Sequence, residues 1–284
     1  MIGSIRIEFL LLMLLFLRLC ATAQPTGPGT PTTGLRAIYR LDYRLDSAVA
    51  TPKRVHMVLR INNGASCFQS TPKHVYDSVY VSLQGHPEQE QLQKAADASR
   101  KPGRNEFAYI VIKQPAKDWV VYQDVLGVET YQYQEKSSLF HWRITPTKQM
   151  VAGYECQQAY AAFGGRIWEA WFTRDIPVSE GPYKFYGLPG LIVRVRDTHD
   201  NYVLEMISLV NDARPFDIAA KSGAPFSVSQ TAPTIKKAKF KQAKHNDDLT
   251  VFDRFAASGN IIPEGMQKDY FAKLKRQNNP LELK

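Results

Sequence analysis

Six histidines, at positions 56, 74, 86, 141, 199 and 245, are the first residues whose type suits acid–base or metal chemistry. No two of them stand at a spacing that shares a metal on one helix or strand face. His141 sits between Phe140 and Trp142 in a strand-like run and reads as a sheet histidine. Asp197 and Asp200 flank His199 in the stretch DTHDN. Their carboxylates suit a cation, but the same letters spell a hairpin turn, which is the simpler reading. Glu169 and Asp175 flank the Trp171 strand and offer a carboxylate pair, although spacing alone cannot set them across a scissile bond. HExxH, GxSxG, CxxC and the dinucleotide fingerprint are all missing. The Gly29 to Gly34 spacing leads into Leu35-Arg36, where a phosphate loop needs Lys followed by Ser or Thr. The expectation is no metal site, no cofactor and no catalytic residue that can be named.

Binding chemistry has more support. Trp119, Trp142, Trp168 and Trp171 all fall between residues 119 and 186, among many tyrosines. On a strand, Trp168 and Ala170 share one face, while Ile167, Glu169 and Trp171 share the other. Trp142, Trp168 and Trp171 are therefore candidate contacts for an apolar ligand on the concave face of a curved sheet. The alternative is core on one side and helix packing on the other. Cys67 and Cys156 remain after the N-terminal segment is removed, and an even pair in an oxidising compartment suggests one disulfide. Two separate buried thiols are the alternative.

The elements that would position these residues follow a period of two. Tyr39-Leu41-Tyr43-Leu45 alternates with Arg40, Asp42 and Arg44, and Val55-Met57-Leu59-Ile61 repeats the pattern. Further strands are expected at 75–83, 106–113, 119–124, 128–134 and 139–144. Residues 88–100, rich in Gln, Ala and Lys, read as one inserted helix ending before Pro102. Residues 154–163 and 166–173 form a hairpin around Gly164-Gly165, whose positive φ angles suit a two-residue turn. Residues 191–195 and 202–207 pair across DTHDN. Residues 249–257 and 264–277 look like two short helices, while 235–244 (IKKAKFKQAK) reads as solvated. The fold class is thus mainly β (α+β): an antiparallel meander in a curved sheet or half-barrel, with one inserted helix and C-terminal helices.

The N-terminus reads as a secretion signal. Arg6 precedes the apolar run Phe9 to Leu17, which is too short for a resident membrane span, and Ala21-Thr22-Ala23 offers a cleavage site before Gln24. Cys20 follows Leu19, too bulky for a lipoprotein signal. The layout is a signal peptide at 1–23, a Pro/Gly/Thr-rich leader at 24–34, a β domain at 35–210 and a basic, partly helical segment at 211–284. The net charge of +9 drops by one when Arg6, Glu8 and Arg18 leave. An exported chain meets little nucleic acid, so that partner is not expected, nor is a transmembrane helix in the mature chain.

Residues 187–192 spell GLPGLI, set within Trp142-x-Ile144, Gly153-Tyr154-x-Cys156, Gly165-Arg166, Trp168-x-Ala170-Trp171-Phe172-Thr173, Ile176-Pro177 and Gly181-Pro182-Tyr183-Lys184-Phe185. Over residues 140–197 this resembles the GLPGLI family of exported Bacteroidetes proteins. The resemblance implies secretion and a mainly β fold, and carries no activity with it. Physically, Gly187 and Gly190 give backbone freedom, Pro189 fixes one φ, and Leu188, Leu191 and Ile192 are apolar anchors. The hexapeptide therefore reads as scaffold.

The function expected is a periplasmic or secreted, non-catalytic binding module for a lipid-like ligand, a glycan or an envelope protein; the alternative is an exported hydrolase whose site only the fold assembles. Mass spectrometry of the protein from its native host should find a mature chain beginning at Gln24. A mature species retaining residues 1–20, or a lipid adduct on Cys20, would contradict this.

Overall fold

The computed structural model describes residues 34–62, 64–103, 106–212, 229, 231–263 and 265–283. The expected signal peptide, cleavage site and almost all of the leader lie outside them. The strands are β1 (Gly34–Tyr43), β2 (Lys53–Asn62), β3 (Ala65–Ser70), β4 (Ile110–Gln114), β5 (Trp119–Leu126), β6 (Glu129–Lys136), β7 (Arg143–Val151), β8 (Tyr154–Phe163), β9 (Arg166–Thr173), β10 (Leu191–Asp197) and β11 (Tyr202–Asp212). They form one antiparallel sheet in the order β6-β5-β4-β3-β2-β1-β11-β10-β9-β8-β7.

Two meanders meet at the β1–β11 pair, where ten residues of β1 are in register with β11 across a bulge at Ile38/Tyr39. The outermost strands, β6 and β7, are consecutive in the chain and joined by residues 137–142 alone. Such a connection reaches at most about 25 Å, whereas the edges of a flat eleven-stranded sheet lie about 48 Å apart. The sheet must curl until its edges approach, and because β6 and β7 do not pair it stays open. Alternation then sorts the side chains: Tyr39, Leu41 and Tyr43 of β1, Met57 and Leu59 of β2, and Phe68 of β3 all enter the main core.

Among the described residues four α-helices decorate the sheet: α1 (Thr71–Ser82), α2 (Glu88–Arg100), α3 (Lys237–Ala257) and α4 (Met266–Arg276). Residues 75–83 are expected as a strand, but 75–82 are helical and Leu83 caps the helix. Ser70 caps the helix by accepting from the Lys73 amide at 3.4 Å, and Pro72 sits in the first turn, where its missing N–H costs nothing. Tyr76 and Tyr80 then stack one turn apart, against Ala95 and Leu92 of α2. The run of Val and Tyr mimicked a strand; the cap and the i, i+4 tyrosines outweigh it. The stretch expected as solvated, 235–244, contributes the first two turns of α3, whose Phe240 is buried against Tyr122 and Tyr133. Residues 137–142, partly expected as strand, lead irregularly into β7, and β3 is a strand that the alternation did not announce.

The disulfide expectation is corrected. Cys67 and Cys156 are free, buried thiols. Five strands separate β3 from β8 in the sheet, and Cys67 packs with Ile110 and Ile112 in a cluster apart from the main core that holds Cys156. Burial raises both thiols to about 12.

The GLPGLI segment runs against the end of β9. Gly190 has φ +150°, and a Cβ there would lie 1.9 Å from the carbonyl oxygen of Thr173. Gly187 has φ +92°, but its Cβ would meet nothing nearer than Trp142 at 3.9 Å. Gly190→Ala should therefore cost about 3 kcal/mol or more through clash and strain, and Gly187→Ala about 1–2 kcal/mol through strain alone. Thermal unfolding of the two variants checks this; equal losses would contradict it.

Candidate functional site

The sequence-expected aromatics take different positions. Trp168 is fully buried on the concave side, its ring centroid 4.6 Å from that of Phe185 and its Nε1–H donating to the Phe163 carbonyl at 3.0 Å. Trp142 is half-buried, stacks on Phe140 and donates to the Tyr186 carbonyl at 2.8 Å. Trp171, opposite in phase to Trp168, donates to the Glu169 carboxylate at 2.8 Å. Of the hexapeptide, Leu188, Leu191 and Ile192 are buried in the main core, while Gly187 and Pro189 are exposed.

The hollow of the sheet is filled by the protein itself. Residues 174–190, between β9 and β10, pass through it and contribute Ile176, Tyr183, Phe185, Tyr186 and Leu188 to the core. Two buried lysines seat this segment. Lys113, at the end of the inward series Tyr109-Val111-Lys113 on β4, pairs with Glu180 at 2.8 Å and donates to the carbonyls of Gly181 and Phe185. Ser66 of β3 donates to the same Glu180 carboxylate at 2.9 Å. Burial depresses the Lys113 ammonium, and Glu180 opposes that shift.

The second lysine, Lys184, is the buried member of a ring of four charges. Its Nζ meets Glu135 of β6 at 2.5 Å and Glu282 at 2.6 Å. Lys237, the first residue of α3, meets the same two carboxylates at 2.8 and 2.6 Å. Positive and negative groups alternate around this closed square, so the buried Lys184 and its three partly buried companions each have two opposite neighbours. Tyr133 accepts from Lys184 at 2.9 Å, and the rings of Tyr122, Tyr133, Phe163 and Tyr183 lie within 5.7 Å of the ammonium. Burial alone would raise the Glu282 carboxyl, but Lys184 and Lys237 outweigh it and hold it down to about 2.

The convex side differs. Strand registers align Arg54, Asp42, Val203, Arg196, Glu169, Tyr160 and Arg143 in one row across seven strands, and Arg40, Glu205, Arg194, Trp171 and Gln158 in the adjacent row. Glu169 accepts from Arg196 twice at 3.1 Å, from Tyr160 at 3.1 Å and from Trp171. These bonds outweigh its burial and lower its carboxyl below the ordinary value. Arg143 lies 5.3 Å over the Tyr160 ring, and Gln158 donates to the Tyr160 hydroxyl at 2.9 Å. The result is a flat array of planar donors, acceptors and one partly exposed ring.

Asp175, considered with Glu169 as a carboxylate pair, instead lines an open cavity of about 310 Å³ beside Lys148, Glu155, Gln157, Phe172 and Arg174. Asp197 accepts from Arg166, Asn201 and the Tyr202 amide, fastening the DTHDN turn. His141 is exposed just before β7. Among the described residues, no group of three or more His, Cys, Asp and Glu side chains is arranged to hold a metal. Also among them, no helix is long and apolar enough to cross a membrane.

A family model described as a protein of unknown function (Porph_ging) matches residues 164–194. The match spans β9, the segment filling the hollow and the start of β10. Two crystal structures of PNGF-II share the fold, with TM-scores of 0.53 and 0.52 at 14% identity. Each alignment covers 76% of this chain, which spans about a third of the PNGF-II chain (34% and 33%). At that identity the likeness concerns the fold alone. No curated protein matches the chain.

Lys113, Lys184, Glu135, Glu180, Lys237 and Glu282 escaped the sequence reading. Their one local signal is a lysine on the inward phase of an apolar run, at Tyr109-Val111-Lys113 and within Tyr183-Lys184-Phe185.

The Glu282 carboxyl has a lower pKa folded than unfolded. It therefore contributes stability above its ordinary pKa near 4.5 and loses it as pH falls toward 2, a term on the order of 3 kcal/mol. Denaturant unfolding between pH 6 and pH 2 should show a steeper loss for wild type than for Glu282→Gln. Parallel curves would contradict the ring.

Proposed function

We propose that the protein is an exported, non-catalytic binding module of the GLPGLI family that recognises a glycan across its convex face. The observation that carries this reading is the pair of rows around Tyr160. Arg143, Arg196 and Gln158 present hydrogen-bonding groups of both polarities beside the Tyr160 ring, with the buried Glu169 holding Arg196 and Tyr160 in place, the chemistry that suits hydroxyl-rich rings with one apolar face. The interior argues against a lipid-like ligand, because residues 174–190 already occupy the hollow with aromatic and aliphatic side chains. Export is supported by the signal-like segment at 1–23 and the cleavage pattern Ala21-Thr22-Ala23.

Glycan-array screening followed by calorimetry on the best hit tests the reading. Tyr160→Ala, which removes the ring from a half-buried surface position, should weaken binding about tenfold, or about 1.4 kcal/mol, with the fold unchanged by circular dichroism. Binding indifferent to Tyr160→Ala, or displaced by a long-chain fatty acid, would move the site into the hollow and overturn the proposal. Capture of a protein with no glycan hit would favour an envelope-protein partner instead.

A further inference from the structure

The segment after α4 is held in a way that its own apolar content does not explain. Pro280 and Leu283 are exposed and Leu281 is only half-buried, so little apolar burial fastens residues 278–283. The contacts that do so are polar and fall into two sets.

The first set captures the main chain. The Asn279 amide donates to the Leu45 carbonyl at 2.9 Å, and the Leu283 amide donates to that of Gly164 at 2.7 Å. Tyr202 donates to the Asn279 carbonyl at 2.6 Å, while Arg166 donates to those of Pro280 and Leu281 at 2.7 and 3.1 Å. These bonds ignore side-chain identity. Arg166 is itself pre-set by Asp197 at 3.0 Å and lies 5.1 Å over the Tyr202 ring.

The second set engages three side chains: Asn278, exposed, accepts from the Ser47 amide at 3.0 Å, and Asn279 and Glu282 are held more fully. Asn279 accepts from Arg166 at 2.5 Å and donates to the Arg44 carbonyl at 2.7 Å, using both ends of its amide. Glu282 sits three residues on, between Lys184, Lys237 and the Tyr183 hydroxyl at 2.6, 2.6 and 2.5 Å. Apart from Lys237, every receptor group belongs to the sheet, its β1–β2 and β8–β9 connections or the segment filling the hollow.

Main-chain capture plus two spaced polar side-chain sites is how extended peptides are recognised. We propose that this cleft is a peptide-binding groove, occupied in cis by residues 278–283, and that its ligand class is an extended peptide carrying Asn and Glu three residues apart. It is a site separate from the convex face.

The test uses the full chain carrying Asn279→Ala and Glu282→Ala, which removes the side-chain half of the hold on its own segment and lets a competing peptide displace it. The probe is a fluorescent synthetic peptide of residues 277–283, QNNPLEL. The double variant should bind the probe saturably and at least about tenfold more tightly than wild type, whose groove is filled. Probes with Ala in place of Asn279 or of Glu282 should each lose about tenfold. A folded double variant that ignores the probe, or that binds all three probes alike, overturns the proposal. Should the double variant fail to fold, wild type with excess probe replaces it: faster amide exchange at Asn279 and Leu283 supports the groove, and unchanged exchange overturns it.

Discussion

The architecture depends on the buried pair between Lys113 and Glu180. A sheet of eleven strands whose edges are tethered by six residues has to curl, and a curled sheet that does not close leaves a hollow that must be filled. Residues 174–190 fill it, and Lys113 fixes their path by binding Glu180 together with the carbonyls of Gly181 and Phe185. Beyond that point, the Ile192 amide donates to the Glu180 carbonyl and the Tyr39 hydroxyl donates to the Ile192 carbonyl. The filler is thereby stitched to β3, β4 and β10, and β10 in turn to β1. Burying side chains such as Trp168, Phe185, Leu188 and Leu191 contributes about 1.5–3 kcal/mol each. An ammonium in the same space is tolerated only because its partners replace the water it loses.

The charge ring around Lys184 applies the same logic at the rim, with a longer reach in sequence. It joins the filler to β6, to the start of α3 and to Glu282. Basic residues near the C-terminus, which composition suggests are solvated, here neutralise buried carboxylates. The consequence for function is spatial. A protein whose concave face is occupied by its own chain has its convex face and its rim left for recognition. Both carry ordered sets of polar groups.

Much of this architecture is legible in the sequence because it rests on short-range rules. Alternation marks β1 and β2, paired glycines mark the β8–β9 turn, and DTHDN marks the β10–β11 turn. Helix α2 falls at 88–100 as its composition suggests. What escapes depends on partners distant in the chain. Residues 75–82 carry strand-like letters but are claimed by the Ser70 cap and by α2. Cys67 and Cys156 look like a pair only while the five strands between them are unknown. Lys113 and Glu180 are 67 residues apart, and Lys184 and Glu282 98 apart, so no local window relates them. The phase of Trp168 and Trp171 is readable from spacing; which face the filler covers is not.

Residues 174–190 fill the hollow as a fixed part of the core and not as a flap over a ligand cavity. Native-state hydrogen exchange at the Leu191 and Ile192 amides, which bond to the Ile176 and Glu180 carbonyls at 3.0 and 2.9 Å, measures this directly. Both amides should exchange only through global unfolding, with the same opening free energy as the β1 amides paired to β11. Exchange of Leu191 and Ile192 through a cheaper local opening, while β1 stays protected, would show that the segment lifts out of the sheet and would contradict the account.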